Sequence, residues 1–278
     1  LRGGLTADGS LVEPLGAFEP ILSGVRACEA VVFDLDDTLY LERDYVRSGA
    51  RAAARWVAAQ TEADPDEAER ELLAQISRSI RRDPFGRWLR RRSLDPRVWL
   101  PRMLDVYRSH RPGIELGIGV QRLLERLARK HKLGLLTDGR LEQQRRKVEA
   151  LRLERWPFAI VYSDEWGRQG WKPDLRPYQT VLERLGVPAE RSVYVGDNPA
   201  KDFLGARRAG MLSIRFRRRG GLHAHTQPGC SENAPDWETT TVYELERVLT
   251  GQKRPQTVSA ASSSGREDRE IGGLASAP

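Results

Sequence analysis

The run Ala30-Val31-Val32-Phe33 passes without a spacer into Asp34-Leu35-Asp36-Asp37, and this junction constrains the chain more than any other feature. A short β-branched and aromatic run of this kind reads as a strand buried on both faces. Such a strand belongs inside a sheet covered by helices on both sides, so the acids must emerge at its carboxyl end. Asp34, Asp36 and Asp37 then crowd into four positions and repel one another unless something positive sits among them. A divalent cation, which prefers oxygen ligands, is one solution. A solvated acidic turn capped by Thr38 is the other, and the junction alone does not separate them.

The rest of the chain repeats the pattern. Apolar runs at 133–136, 158–161, 192–195 and 212–216 alternate with helical patterns at 120–128, 140–151, 174–186 and 199–210, the last stopped by Gly210. This alternation predicts an α/β fold, a Rossmann-like three-layer α/β/α core with a mostly parallel sheet. Residues 44–112 break it with helical patterns and no strand, and are expected to form a small all-helical cap domain inserted after the first strand. The expected division is a core of 30–43 and 113–249, the cap, a partly ordered extension at 1–29 and a disordered tail at 250–278. The tail is rich in Ser, Gly, Ala and charge and has too little apolar surface to offset the cost of ordering.

In a parallel sheet, ligands bind beyond the carboxyl ends of the strands. The second strand run ends in Thr137, Asp138 and Gly139, and the fourth is followed by Asp197 and Asp202, five apart around a helix start. Lys172 lies between them on a loop bounded by Gly170 and Pro173. Parallel strands would bring these carboxylates, the hydroxyl and the ammonium into one crevice. Such a set suits attack of a carboxylate on phosphorus, with a metal and a lysine neutralising the phosphoryl oxygens and a second carboxylic acid protonating the leaving group.

At these residues the chain resembles the haloacid dehalogenase (HAD) superfamily of hydrolases. The family pattern is Asp-x-Asp-x-Thr at a strand end, a strand ending in Thr or Ser, a Lys, and a Gly-Asp-x-x-x-x-Asp turn, and all four occur here in that order. The resemblance implies that Asp34 is the nucleophile, forming an aspartyl-phosphate, and Asp36 the general acid/base. It implies that Thr137 binds the phosphoryl group and that Lys172 holds its charge and orients Asp34. Asp138 and Gly139 would line the substrate side. Mg2+ would be held by Asp34, the carbonyl of Asp36 and Asp197, with Asp202 behind or beside it, while Thr38 would brace the turn.

Asp138 stands where many relatives carry Asn, so it is expected either to point away from the phosphate or to shape substrate choice. True dehalogenases of the family lack the second acid, so Asp36 favours phosphoryl chemistry. The helical insertion resembles the family's first class of cap, which closes over small substrates. The implied activity is a magnesium-dependent phosphomonoester hydrolase acting on a small phosphorylated metabolite, a sugar phosphate or a nucleotide. The alternatives are a phosphotransferase or mutase on the same scaffold, or a non-catalytic binding or regulatory protein.

Composition adds exclusions. No run in the 278 residues approaches a membrane span, and the first residues show no basic segment followed by an apolar one, so neither membrane nor signal peptide is expected. Cys28 and Cys230 give no disulfide framework or zinc spacing, which favours a reducing, cytoplasmic setting. The net charge of +7 rests on 40 Arg and only 6 Lys, a bias read as background composition. Arg78, Arg81, Arg82, Arg87, Arg90, Arg91 and Arg92, with Phe85 and Trp88, could clamp an anion but are expected to form a solvated face. No groove-reading motif supports nucleic acid as a partner. His223 and His225 are expected to be surface residues, and nothing in the sequence fixes the oligomeric state.

Overall fold

The computed structural model describes residue 25, residues 27–79 and residues 83–251. Most of the expected terminal extension and tail, as well as Arg81 and Arg82, therefore lie outside the described residues. The chain runs β1 (Ala30–Phe33), α1 (Glu42–Thr61), α2 (Pro65–Ser79), α3 (Pro84–Arg91), α4 (Pro96–Ser109) and α5 (Ile118–Leu127). It continues β2 (Lys132–Thr137), α6 (Leu141–Ala150), β3 (Phe158–Tyr162), α7 (Leu175–Leu185) and β4 (Ser192–Gly196). Last come α8 (Asp202–Arg208), β5 (Leu212–Phe216), β6 (Trp237–Thr239) and α9 (Val242–Thr250).

The six strands form one sheet in the order β3-β2-β1-β4-β5-β6, and every pairing is parallel. Side chains alternate between its faces, as the two-residue period of a strand requires. Val31, Phe33, Leu133, Leu135, Val193 and Val195 pack with Leu123, Leu124 and Leu127 of α5 and Leu245 and Leu249 of α9. Ala30, Val32, Leu136 and Tyr194 pack on the other face with Tyr178 and Val181 of α7 and Ala206 of α8. This is the three-layer core expected from the alternation. The short edge strand β6 and helix α9 were not resolved as separate elements by the sequence pattern.

Helices α1–α4 carry their own apolar cluster. Ala50, Ala53, Ala54 and Val57 make a narrow stripe on α1 at helical spacing. Leu72 and Ile76 of α2, Trp88 and Leu89 of α3 and Met103 of α4 close over it. These small alanines let the helices approach closely, so the cap holds together on packing of its own.

β1 is central, with β2 on one side and β4 on the other. Phe33 is in register with Leu135 and with Val195. The strand order reverses direction at β1, the switch point where open α/β sheets bind ligands. Asp34, Thr137 and Asp197 are consequently delivered to one place from three adjacent strand ends.

Candidate active site

Lys172 is the hub of the crevice. Its Nζ donates to Asp34 Oδ1 at 2.5 Å, Asp202 Oδ1 at 2.8 Å and Tyr194 Oη at 2.9 Å, so all three ammonium hydrogens are committed. Burial opposes the charge of Lys172, but the carboxylates of Asp202 and Asp34 outweigh it and hold the ammonium well above its ordinary value. Burial pushes the Asp34 carboxyl up to about 6 against the pull of Lys172. The other oxygen of Asp34 has only the Thr38 hydroxyl, at 3.4 Å.

Asp34, Asp197 and Asp202 present carboxylate oxygens within 4.8 Å of one another, all on buried side chains. Asp202 is satisfied: besides Lys172 it accepts the Asn198 amide at 2.8 Å, and these partners hold it below the usual carboxylate range despite its burial. Its carboxylate crosses so close to the strand end that a Cβ on Gly196 would lie 2.6 Å from Oδ2, which requires glycine there. Asp197 is not satisfied in this way. Burial, together with the negative charges of Asp202 and Asp34, pushes it up to about 9. An all-oxygen donor set with one carboxylate short of a positive partner fits a hard divalent cation.

Asp36 faces the other way. Lys147 Nζ lies 2.7 Å and 2.9 Å from its two oxygens, the Tyr40 hydroxyl donates to Oδ1, and Gln144 Nε2 donates to Oδ2 at 2.9 Å. Burial alone would raise its pKa, but the Lys147 ammonium and these hydrogen bonds hold it below the usual range. Both carboxylate oxygens of Asp36 are thus taken up by these partners. The Gln144 amide also donates to Thr137 Oγ1 at 2.6 Å, which leaves the hydroxyl proton of Thr137 available to a phosphoryl oxygen.

Asp138 is engaged by neighbouring loops. Its Oδ1 accepts from Ser163 Oγ at 2.6 Å and from the Lys172 amide at 3.1 Å, and Oδ2 lies 3.4 Å from Lys201 Nζ. Its charge is thus neutralised locally, and its work is to fix the loop that carries Lys172. Asp37, in the left-handed region at φ 56°, accepts from the amides of Glu42 at 2.9 Å and Leu222 at 2.7 Å. It thereby ties the start of the cap, and the loop after β5, to the β1 turn.

Sequence reasoning missed Gln144, Lys147, Lys201 and Glu42. One signal was present: in a chain with 40 Arg and 6 Lys, three of the six lysines, Lys147, Lys172 and Lys201, stand in this crevice. His223, read as a surface residue, instead meets Asn198 Nδ2 at 3.1 Å beside the Asp197 turn. Within the Arg-rich cap segment Arg92 pairs with Glu71 and Arg90 with Asp83 at 3.1 Å, while Trp88 is 1% exposed in the cap core. Two of the segment's arginines are thus paired with acids of the cap itself.

Comparison with known proteins agrees with this geometry. The sequence model of the family described as Haloacid dehalogenase-like hydrolase matches residues 31–216. Glyceraldehyde 3-phosphate phosphatase of Methanopyrus kandleri is 32% identical over 234 residues, 80% of this chain and 97% of that protein. The 2-haloacid dehalogenase of Pseudomonas syringae has a similar structure, with a TM-score of 0.52 at 27% identity over 81% of this chain and 99% of that one. The HAD-hydrolase YfnB of Bacillus subtilis, bound to magnesium, has the same fold, with a TM-score of 0.56 at 18% identity over 80% and 98%.

Proposed function

The chain belongs to the haloacid dehalogenase-like hydrolases, and from that premise we propose that it is a magnesium-dependent phosphatase of a small phosphorylated metabolite. The observation that carries this reading is the pairing of two acids with opposite surroundings two residues apart. Asp34 lies against Lys172 and the carboxylate cluster, and Asp36 lies against Lys147 and Gln144. A hydrolase attacking carbon would have no use for the second acid. The 32% identity to a glyceraldehyde 3-phosphate phosphatase supports a phosphate ester of a small molecule, and the cap favours one that fits beneath it.

A carboxylate oxygen of Asp34 attacks phosphorus, forming an O–P bond as the ester P–O bond breaks, and the leaving alkoxide takes its proton from Asp36. Asp36 then removes a proton from water, whose oxygen attacks phosphorus, releasing phosphate and restoring Asp34. Asp36 begins as a carboxylate and takes up a proton from solvent as the substrate binds, because the negative charge of the arriving phosphate raises its proton affinity; that proton is the one passed to the alkoxide. Thr137 donates to a phosphoryl oxygen, while Lys172, whose hydrogens are taken by Asp34, Asp202 and Tyr194, orients Asp34 and offsets the phosphoryl charge, with Asp138 and Gly139 shaping the loop around them. Asp34, Asp197 and the Asp36 carbonyl, backed by Asp202, would hold Mg2+, which supplies positive charge for the phosphoryl oxygens.

A panel of phosphorylated metabolites with magnesium tests the reading. Free phosphate released from at least one small ester supports it. Phosphate found on a second hydroxyl would make the chain a phosphotransferase, and no turnover of any ester would remove the phosphatase reading.

A further inference from the structure

Two contiguous cavities of about 480 Å3 and about 390 Å3, sharing Pro112, Ala150 and Arg152, lie far from the carboxylate cluster in character and lining. They flank the linker 110–117, which returns the chain from cap helix α4 to core helix α5, and they are backed by the C-terminal half of α6 and the turn after it. Arg111 and Arg146 line the first, Arg155 lines the second, and Arg152 lines both.

Several arginines of the cap are paired with acids. There, Arg51 and Arg55 pair with Glu69, Arg55 also with Asp66, and Arg92 with Glu71. Among the described residues none of Arg111, Arg146, Arg152 and Arg155 forms an ion pair. Glu149 stands on the wall of the first cavity and Glu115 on that of the second, so four guanidiniums face two carboxylates and the cleft keeps a positive excess. Guanidinium forks match phosphoryl oxygens in pairs, and several arginines spread along a cleft of this volume suit more than one anionic group.

The cleft also spans the joint between cap and core. Arg146 donates to the carbonyl of Arg108 in the last turn of α4 at 3.4 Å. On its other side the linker is strapped to α1, where Ser48 Oγ bonds His110 Nε2 at 2.6 Å and accepts the Gly113 amide at 3.0 Å. Arg146 directly precedes Lys147, the residue that holds Asp36. We propose that this cleft binds a small anion bearing two or more phosphoryl groups, and that its occupancy fixes the linker between cap and core. The ligand is thus a soluble polyphosphate-bearing molecule that acts away from the reacting atoms.

Tripolyphosphate is the probe, titrated calorimetrically into the full chain in metal-free buffer at near-physiological salt. The double variant Arg111→Gln/Arg152→Asn is expected to bind it at least about tenfold more weakly than wild type. Asn is chosen because residue 152 has φ 53°, which Asn tolerates. The charge-retaining Arg111→Lys variant is expected to keep most of the affinity, and melting curves check that each variant is folded. Bound tripolyphosphate should slow amide exchange over 110–117 in wild type and not in the double variant. Equal affinity in the double variant, binding abolished by excess orthophosphate, or no binding at that salt would each overturn the proposal. So would binding of an acidic peptide in its place, which would make the cleft a protein-docking surface.

Discussion

Lys147 Nζ sits 2.7 Å and 2.9 Å from the two carboxylate oxygens of Asp36 and 4.3 Å from the centre of the Tyr45 ring. One ammonium therefore joins a core helix, the β1 turn and the first helix of the cap. Lys147→Met should leave Asp36 buried without its cation and cost about 3 kcal/mol of stability, read from urea denaturation. It should also lower kcat by about 100-fold with a much smaller change in KM, because the proposed acid/base loses its positioning while the proposed phosphate site remains.

Asp34→Asn should reduce phosphate release by about 10⁴-fold or more, since the carboxylate proposed to attack phosphorus is gone. Lys172 keeps Asp202 at 2.8 Å and Tyr194 at 2.9 Å, so the far-ultraviolet circular dichroism should be unchanged.

Asp197 is expected to couple stability to metal and to pH. In the metal-free chain its carboxyl is pushed up to about 9, whereas the unfolded chain releases that proton near 3.8. The unfolded state therefore loses the proton first, and this contribution is full below pH 3.8 and is lost as pH rises through about 9. Magnesium at a hundred times its dissociation constant should restore about 2.7 kcal/mol. Thermal melts from pH 7 to 9, above the window in which Glu42 titrates, should show the decline without magnesium and its removal with it, and Asp197→Asn should abolish both responses.

Glu42, in the first turn of α1, is pushed up to about 7 by burial and by the Asp36 carboxylate, against the opposing pull of Lys147. Its contribution is full below its ordinary value of 4.5 and is lost as pH rises through 7. Glu42→Gln cannot titrate. Its melting temperature should therefore gain on wild type steadily across that window.

Gly205→Ala tests packing behind the lysine loop. A Cβ there would strike the Tyr178 ring and lie 3.0 Å from the Pro173 carbonyl. Overpacking of this kind should cost about 1–3 kcal/mol in denaturant midpoint analysis. Because Pro173 follows Lys172, turnover should fall as well.

The strand ends were legible because chemistry and periodicity coincide there. Phe33 to Asp34, Leu136 to Thr137 and Gly196 to Asp197 each mark a switch from apolar run to polar turn, and the parallel sheet then assembles them. Gln144 and Lys147 were not legible, because α6 reads as a polar helix and only tertiary packing turns those two side chains inward. The orientation of Asp138 was likewise open in sequence. Its partners Ser163, Lys172 and Lys201 come from three separate segments, and no local pattern announces them. β6 escaped because its three residues, Trp237–Thr239, are too few to show a period.

The central place of β1 has a consequence for how the chain is made. Both of its hydrogen-bonding neighbours, β2 and β4, are encoded from Lys132 onward, after the four cap helices. During synthesis the strand that leads into Asp34 emerges early and waits unpaired while α1–α4 leave the ribosome with an apolar cluster of their own. A cap that collapses first shortens the effective tether between Phe33 and Lys132 and lowers the entropy lost in closing it. The helical insertion would then also serve the nascent chain as an internal splint, with Asp34 seated only after the cap is in place.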